Sequence, residues 1–592
     1  MALLRPSLLP SHSLLLLFII ILYLYHRHFV HHSFTLPANT RLAPSPPRHF
    51  LLGHAPYLSC SRPYKQYQQW ARTYGPIYRI SPAGGRRGAP ETFIVTSAIL
   101  ADELLRNRGG IYASRETASV ATRILSGDDD EMRPADSTDL RPFSFVPGPT
   151  LQQGRKLMYT VCRESAAKTY EPTQFREAVG MLATLIREPT QYEQWFVRFA
   201  SGVILRVGYG RRILWPKMTI TSNDGQNRDD KKDDPALARI LAVNREFGLL
   251  GSSARDKWSL RLLEAFPFLV HLPSALLPVK RTLLNLHRME LSLYRDLQFS
   301  IRAQLLTSSA PECWERTYLE RAHTFPELTS DQAAYVLGTM FAAGAHTAAA
   351  GMSKFLFAMV THPWEWRALR KEMDAVVGGG GDREDDKRKT RMPCFDDVPN
   401  LPRLRAAVKE TLRWRPLPPD GVPHRVTEDD VKAAAEPSIF IPSGSLIQPI
   451  AWAIHRDPAV YPRGKEFLPE RWLDDPRGEF PRTRLPEGRS LKEYPNLKNF
   501  SVFGYGRRIC PGFNIVERSL VIQAALLVWG CEVRSLEAEG RGKGFVRAGN
   551  NDDDEDDDED VFPPFELKVR GERYAEIIAH AAEKAEREDP LK

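Results

Sequence analysis

The run Phe503-Gly504-Tyr505-Gly506-Arg507-Arg508-Ile509-Cys510-Pro511-Gly512 constrains the fold more than any other part of the chain. It sets one cysteine in a glycine-punctuated loop, directly before the apolar run Phe513 to Trp529. The length and apolarity of that run predict a buried helix. A thiolate at a helix N-terminus is stabilised by the helix dipole and by unpaired N–H groups. Gly506 and Gly512 lack a Cβ, so the backbone there can approach a flat ligand. Arg508 can reach an anionic group beside the sulfur. Together these features suit a haem whose iron takes Cys510 as its axial ligand. The alternative is a glycine-rich turn that buries a structural cysteine.

The segment resembles the haem-binding signature of the cytochrome P450 family, F-x-x-G-x-R-x-C-x-G. Phe503, Gly506, Arg508, Cys510 and Gly512 fill its fixed positions. Three further motifs keep the family's order. Glu410-Thr411-Leu412-Arg413 is an E-x-x-R on a helical stretch from about Leu401 to Trp414, and its spacing puts acid and base on one face. Pro469-Glu470-Arg471-Trp472 follows it. The resemblance implies that Glu410, Arg413 and Arg471 interlock on the proximal side of the haem. Ala343-Gly344-Ala345-His346-Thr347, inside a helical run from Gln332 to Val360, is similar to the family's oxygen-activating A-G-x-[DE]-T. There Gly344 is expected to kink the helix and Thr347 to orient a water. His346 replaces the usual acid as a candidate proton relay. The resemblance also implies propionate contacts from Arg508, from His424 and from Arg155. The last belongs to a W-x-x-x-R pattern whose first position here is Leu151.

The resemblance spans roughly residues 36 to 570. It implies a mostly α fold with small β-sheets and a single catalytic domain binding haem b. The implied reaction inserts one oxygen atom of O2 into a C–H bond or C=C of a lipophilic small molecule. A likeness to fungal members suggests secondary-metabolite biosynthesis. No G-x-G-x-x-G opens a helix after a strand, so no nicotinamide or flavin domain is expected. Electrons would come from NADPH through a separate cytochrome P450 reductase, with cytochrome b5 as a second donor. Two other classes compete: a haem-thiolate isomerase or dehydratase, and a non-catalytic haem-binding membrane paralogue. Thr347 argues against the first.

The N-terminus reads differently from the rest. Leu8 to Val30 carries Arg27 as its one formal charge, and Leu14 to Tyr25 is an unbroken apolar dozen. That suffices for a membrane anchor over residues 1–35. A cleaved secretory signal is the competing reading, but no small-x-small site follows Tyr25. Residues 36–50, with Pro37, Pro44, Pro46 and Pro47, read as a stiff hinge to the catalytic domain at 51–571. The resemblance implies an endoplasmic-reticulum membrane protein with its catalytic domain in the cytosol. Six cysteines without C-x-x-C spacing fit a reducing compartment. Net charge is +8 despite nine consecutive acids at Asp552 to Asp560, which read as a solvated loop insertion. The basic remainder lacks the aromatic-interleaved motif of a nucleic-acid binder. It suits a face for an acidic electron donor, with Lys156, Lys498 and Arg507 as candidates. The substrate pocket is expected from parts of 115–147, from Leu417 to Val422 and from the Val561–Phe562 turn. Residues 572–592 read as a charged helical extension that adds no information.

Overall fold

The computed structural model describes residues 36–591 except for a set of segments. The longest of these are 82–90, 116–123, 127–139, 216–234, 250–258, 380–389, 474–493 and 537–562. The expected anchor, the acidic run and the Val561–Phe562 turn lie outside the described residues.

Helices dominate. In chain order they are α1 (Pro63–Tyr74), α2 (Ala98–Asp102), α3 (Pro149–Cys162), α4 (Glu164–Thr169), α5 (Glu171–Leu185), α6 (Tyr192–Tyr209) and α7 (Pro235–Leu249). Then follow α8 (Pro278–Leu306), α9 (Trp314–Glu320), α10 (Ser330–Thr361), α11 (Pro363–Val377), α12 (Pro402–Trp414), α13 (Ala451–Ile454), α14 (Phe513–Gly530) and α15 (Glu572–Arg587). The central element is α10. Its start is fixed by a capping box: Thr329 accepts from the Gln332 N–H, and the Gln332 side chain accepts from the Thr329 N–H. It packs along α6, and α6 packs on α5. One core unites α5, α6, α10, α11, α12 and α14 through Phe196, Phe199, Met352, Phe355, Leu526 and Trp529.

The predicted helix Phe513 to Trp529 is α14, the one helix among the described residues long and apolar enough to cross a membrane. It is 89% buried inside the protein, so its apolarity is that of a core helix.

The strands form three small sheets. The four-stranded sheet has the order β2 (Ile77–Ile80), β3 (Thr92–Val95), β7 (Leu446–Pro449), β4 (His424–Arg425). Strands β3 and β7 are parallel, and β4 runs antiparallel to β7 with His424 opposite Ile447. The register of so short a strand is what sets the position of His424. A second sheet has the order β1 (Thr40–Arg41), β6 (Ser438–Ile441), β5 (Asp430–Lys432). The third pairs β8 (Cys531–Ser535) with β9 (Phe565–Val569).

Two expectations about the ends of the domain are corrected. The proline-rich segment, expected as a stiff hinge, is tied to the domain: Thr40–Arg41 pair with Ser438–Ile439, and Ala43 is buried. Arg79 holds it twice, through its Nε on the Ala43 carbonyl at 2.9 Å and its N–H on the Pro44 carbonyl at 2.8 Å. An extended proline-rich chain is well suited to an edge strand. The C-terminal extension also belongs to the fold. Helix α15 packs on α5 and buries Tyr574, Ile578 and Ala579. Beyond it, Asp589 accepts both Arg206 Nη atoms at 2.7 and 2.5 Å, with both side chains buried.

Candidate active site

Cys510 opens onto a cavity of about 360 Å³. The Cys loop supplies Phe503, Gly504, Arg508, Cys510 and Gly512, and α10 supplies Thr339, Met340, Ala343, Gly344, Thr347 and Ala348. Ala200, Val203 and Ile204 of α6, and Leu417, Pro418, Gly421 and Val422 of the segment after α12, complete much of the wall. Arg115, Arg155 and His424 also line it.

The loop places the sulfur by main-chain bonds. The Cys510 N–H donates to the Phe503 carbonyl at 2.8 Å, and the Phe503 ring lies edge-tilted on Phe513 at 6.2 Å. The loop's glycines divide the work differently from expectation. Gly512 lines the cavity and caps α14. Gly506 does not line it; with φ of +50° it meets the Leu105 carbonyl, where a Cβ would come within 2.6 Å. Its small size serves packing beneath the loop, and Gly504 takes the cavity position.

The Cys510 thiol is pushed up by burial; the N–H groups of Gly512 and Phe513 and the Arg155 charge oppose this without overcoming it. The helix terminus alone therefore does not hold a thiolate here. A bound iron would do so, because a coordinating thiol is deprotonated by its metal.

Three arginines converge on the same cavity. Burial and the charges of Arg508 and Arg155 push Arg115 down to about 9. Burial and Arg155 push Arg508 down to about 10. Arg155 is lowered by burial. Arg508 donates to the carbonyls of Ala113 (2.7 Å) and Phe145, Arg155 to that of Ile509 (2.7 Å), and Arg115 to those of Pro423 and Val422. Carbonyls satisfy donors without neutralising charge, so mutually repelling guanidiniums at one wall fit an anionic ligand. Haem, with its two propionates and a thiolate-binding iron, matches this donor set.

His424 is neutral: burial, Arg115 and Arg508 push it down to about 3, and its Nδ1 lies 2.8 Å from the Tyr112 carbonyl. Sequence reasoning found Arg155, Arg508 and His424 but missed Arg115, which carries no motif. Leu151, at the position of the expected tryptophan, is buried in the core.

The charged triad is fully assembled. Arg413 donates through Nε and Nη2 to Glu410 at 2.9 and 2.8 Å, and neither side chain is exposed. Arg471 Nε reaches the same carboxylate at 3.0 Å, Trp472 Nε1 at 2.8 Å and the Leu468 N–H at 2.9 Å. Arg413 also ties down the carbonyls of His455 and Gly464 through Nη1, at 2.6 and 2.7 Å. His455, held neutral by burial at about 3, has Nδ1 on the Ala451 carbonyl and Nε2 3.0 Å from Ser501 Oγ. Ser501 begins the turn that leads to Phe503 and the cysteine. A continuous chain of buried polar contacts thus joins Glu410 to the Cys loop. His455 and Ser501 carry no pattern that would have marked them in the sequence.

On α10 the outcome is mixed. Thr347 lines the cavity and donates to the Ala343 carbonyl at 2.8 Å, leaving the lone pairs of its oxygen open. Gly344 lines the cavity within a helix that runs from Ser330 to Thr361. A Cβ at Gly344 would come within 3.2 Å of Ile204, so the glycine lets α6 approach α10. His346 is not among the cavity residues, and partial burial lowers its pKa. One residue is 100° of helix, so His346 leaves the stripe that Ala343 and Thr347 share.

The comparisons with known proteins agree with this geometry. The family Cytochrome P450 matches residues 279–538, which hold α10, the Glu410 cluster and the Cys loop. Cytochrome P450 monooxygenase fogE of Aspergillus ruber is 29% identical over 493 residues, 83% of this chain and 80% of that one. Cytochrome P450 monooxygenase 69 of Postia placenta is 29% identical over 581 residues, 91% of this chain and 92% of that one. A solved structure of a zebra fish cytochrome P450 with abiraterone superposes with a TM-score of 0.57 at 19% identity, over 86% of this chain and all of that one, which speaks to the fold alone. The cysteine, the arginines and the charged triad gathered around one cavity thus lie in a chain that is similar to the cytochrome P450 family and to curated cytochrome P450 monooxygenases.

Proposed function

We propose that the protein inserts one oxygen atom of O2 into a C–H bond or C=C of a lipophilic small molecule. Electrons come from a separate NADPH-cytochrome P450 reductase, with cytochrome b5 as a second donor. The observation that carries the reading is the cavity that joins the Cys510 sulfur, three cations and the Thr347 stripe of α10. Cys510 would hold the iron, and Arg115, Arg155, Arg508 and His424 would hold the propionates. Bound haem supplies the oxygen-activating chemistry.

The chain's own residues set access and proton supply. Burial of the three arginines pre-forms the propionate site and favours the loaded protein. The apolar walls from α6 and from Leu417 to Val422 exclude water and take an apolar substrate. The Thr347 oxygen, with its own proton held by Ala343, accepts from a water and orients it. This assigns water positioning to Thr347 and none to His346. Likeness to fungal monooxygenases supports a place in secondary metabolism. We further place the protein at the endoplasmic-reticulum membrane, anchored by residues 1–35 with the catalytic domain in the cytosol. Deleting those residues should move it to the soluble fraction with its haem spectrum intact; persistence in the membrane fraction defeats the anchor.

The test of the reaction is NADPH oxidation by protein plus reductase, coupled to loss of a substrate found by a spectral binding screen. Thr347→Ala should divert NADPH into hydrogen peroxide, and His346→Ala should not. Substrate turnover without NADPH or reductase would favour an isomerase or dehydratase instead.

A further inference from the structure

We propose that His455 is a positioning residue that keeps the haem iron's reduction potential low: through Ser501 it fixes the turn before the cysteine, so that the Cys510 N–H stays on the Phe503 carbonyl and off the sulfur. The inference rests on the assignment of Cys510 as haem ligand and adds to it a control of the iron. His455 directly follows α13, and its Nδ1 lies 2.9 Å from the Ala451 carbonyl four residues back. A carbonyl oxygen only accepts, so Nδ1 carries the ring proton. Burial keeps the ring neutral, with the charges of Arg413 and Arg456 adding to the effect. Nε2 is therefore an acceptor, and the Ser501 hydroxyl donates to it at 3.0 Å. The ring is held between Tyr461 and Phe500, with centroids 5.9 Å from each. The backbone of the same residue is held as well, because its carbonyl takes Arg413 Nη1 at 2.6 Å. Ser501 is thus tied to a side chain with one tautomer and one orientation.

Ser501 opens the turn Ser501–Phe503. Within it the Phe503 N–H donates to the Phe500 carbonyl at 3.0 Å, and the Gly504 N–H to the Ser501 carbonyl at 2.9 Å. Gly504, at φ of +87°, then reverses the chain. The result aims the Phe503 carbonyl at the Cys510 N–H, 2.8 Å away. An N–H used there is not available to the sulfur. The donors that do reach the sulfur are the N–H groups of Gly512 and Phe513, at the start of α14. Each N–H on a coordinated thiolate draws electron density from it and favours the reduced iron, so it raises the potential. Releasing the turn frees the Cys510 N–H and lets water approach the sulfur, while the α14 donors stay in place. The Ser501–His455 bond is what prevents this.

The test measures the iron's reduction potential by spectroelectrochemical titration of the full-length, haem-loaded protein, together with hydrogen exchange at the Cys510 amide. His455→Phe keeps a ring between Tyr461 and Phe500 and removes the acceptor; Ser501→Ala removes the donor. Each should shift the ferrous-to-ferric ratio at fixed potential about tenfold towards ferrous, a rise of about 59 mV, and speed exchange at Cys510. The double variant should shift no further than either single one, because all three lose the same bond. If His455→Phe fails to load haem, Ser501→Ala carries the comparison with the wild type. A merely structural role would lower the urea midpoint and the haem per polypeptide, and leave the potential of the loaded fraction and the Cys510 exchange unchanged. That result overturns the proposal, as do additive shifts in the double variant, and either leaves the haem-thiolate reading standing. A wild type whose reduced carbon-monoxide complex lacks the thiolate-type band overturns both.

Discussion

Replacing Glu410 by alanine should prevent stable haem loading without acting on the chemistry itself. The Glu410 carboxylate accepts from Arg413, Arg471, Trp472 and the Leu468 N–H at 2.8–3.0 Å. Arg413 and Glu410 are fully buried, and the Arg471 side chain is 4% exposed. Removing the acid strands two guanidiniums away from water, which costs about 3–5 kcal/mol. Folded proteins have only about 5–15 kcal/mol in hand, so the loss is a large fraction. The same chain supplies a control. Arg463 and Glu466 also stand at i, i+3 and form a bidentate pair, but at 54% and 51% exposure. A solvated pair of this kind contributes little. Glu410→Ala and Glu466→Ala should therefore differ sharply in urea midpoint and in haem per polypeptide, although both delete an acid three residues from an arginine. Equal midpoints and full haem content in both would refute the argument that burial gives the triad its weight.

Glu315 provides a pH test. Burial raises its carboxyl from 4.5 to about 7, against Gln298 and Arg302. A carboxyl raised in the fold stabilises it fully below the unfolded value, and that stability is lost as pH rises through about 7. Between pH 5 and pH 8 the wild type should lose about 2.5 kcal/mol that Glu315→Gln retains. Parallel urea midpoints for the two proteins across that range would contradict it. Deleting residues 572–592 should lower the melting temperature, because it exposes the seats of Tyr574 and Ile578 and leaves buried Arg206 without Asp589; an unchanged melting curve would return the tail to an appendage.

Local patterns with strong spacing were legible in the sequence. The apolar run after Cys510, the E-x-x-R helix and the long α10 all emerge within a few residues of their expected bounds, because each is long, periodic or punctuated by proline and glycine. Helix α11 carries the same kind of signal, with Pro363 at its start and Trp366, Leu369, Met373 and Val377 at helical spacing. Strands β4 to β7 are two to four residues each and take their register from distant partners, so no local pattern announces them. The same holds within the site. Arg155, Arg508 and Cys510 sit in motifs, whereas Arg115, His455 and Ser501 matter only through what folding brings beside them. The fate of Gly506 and Gly344 makes the converse point. A glycine's freedom is visible in the sequence, but the atom that needs the space, here the Leu105 carbonyl or the Ile204 side chain, is not.

The most direct test of the account is the carbon-monoxide difference spectrum of the reduced protein, wild type against Cys510→Ser. The account predicts a thiolate-type band in the wild type, its loss in Cys510→Ser, and its retention when Cys162, Cys313, Cys394 or Cys531 is replaced by serine. A thiolate-type band that survives in Cys510→Ser, or one that disappears on changing another cysteine instead, would contradict the assignment of Cys510 as the haem ligand.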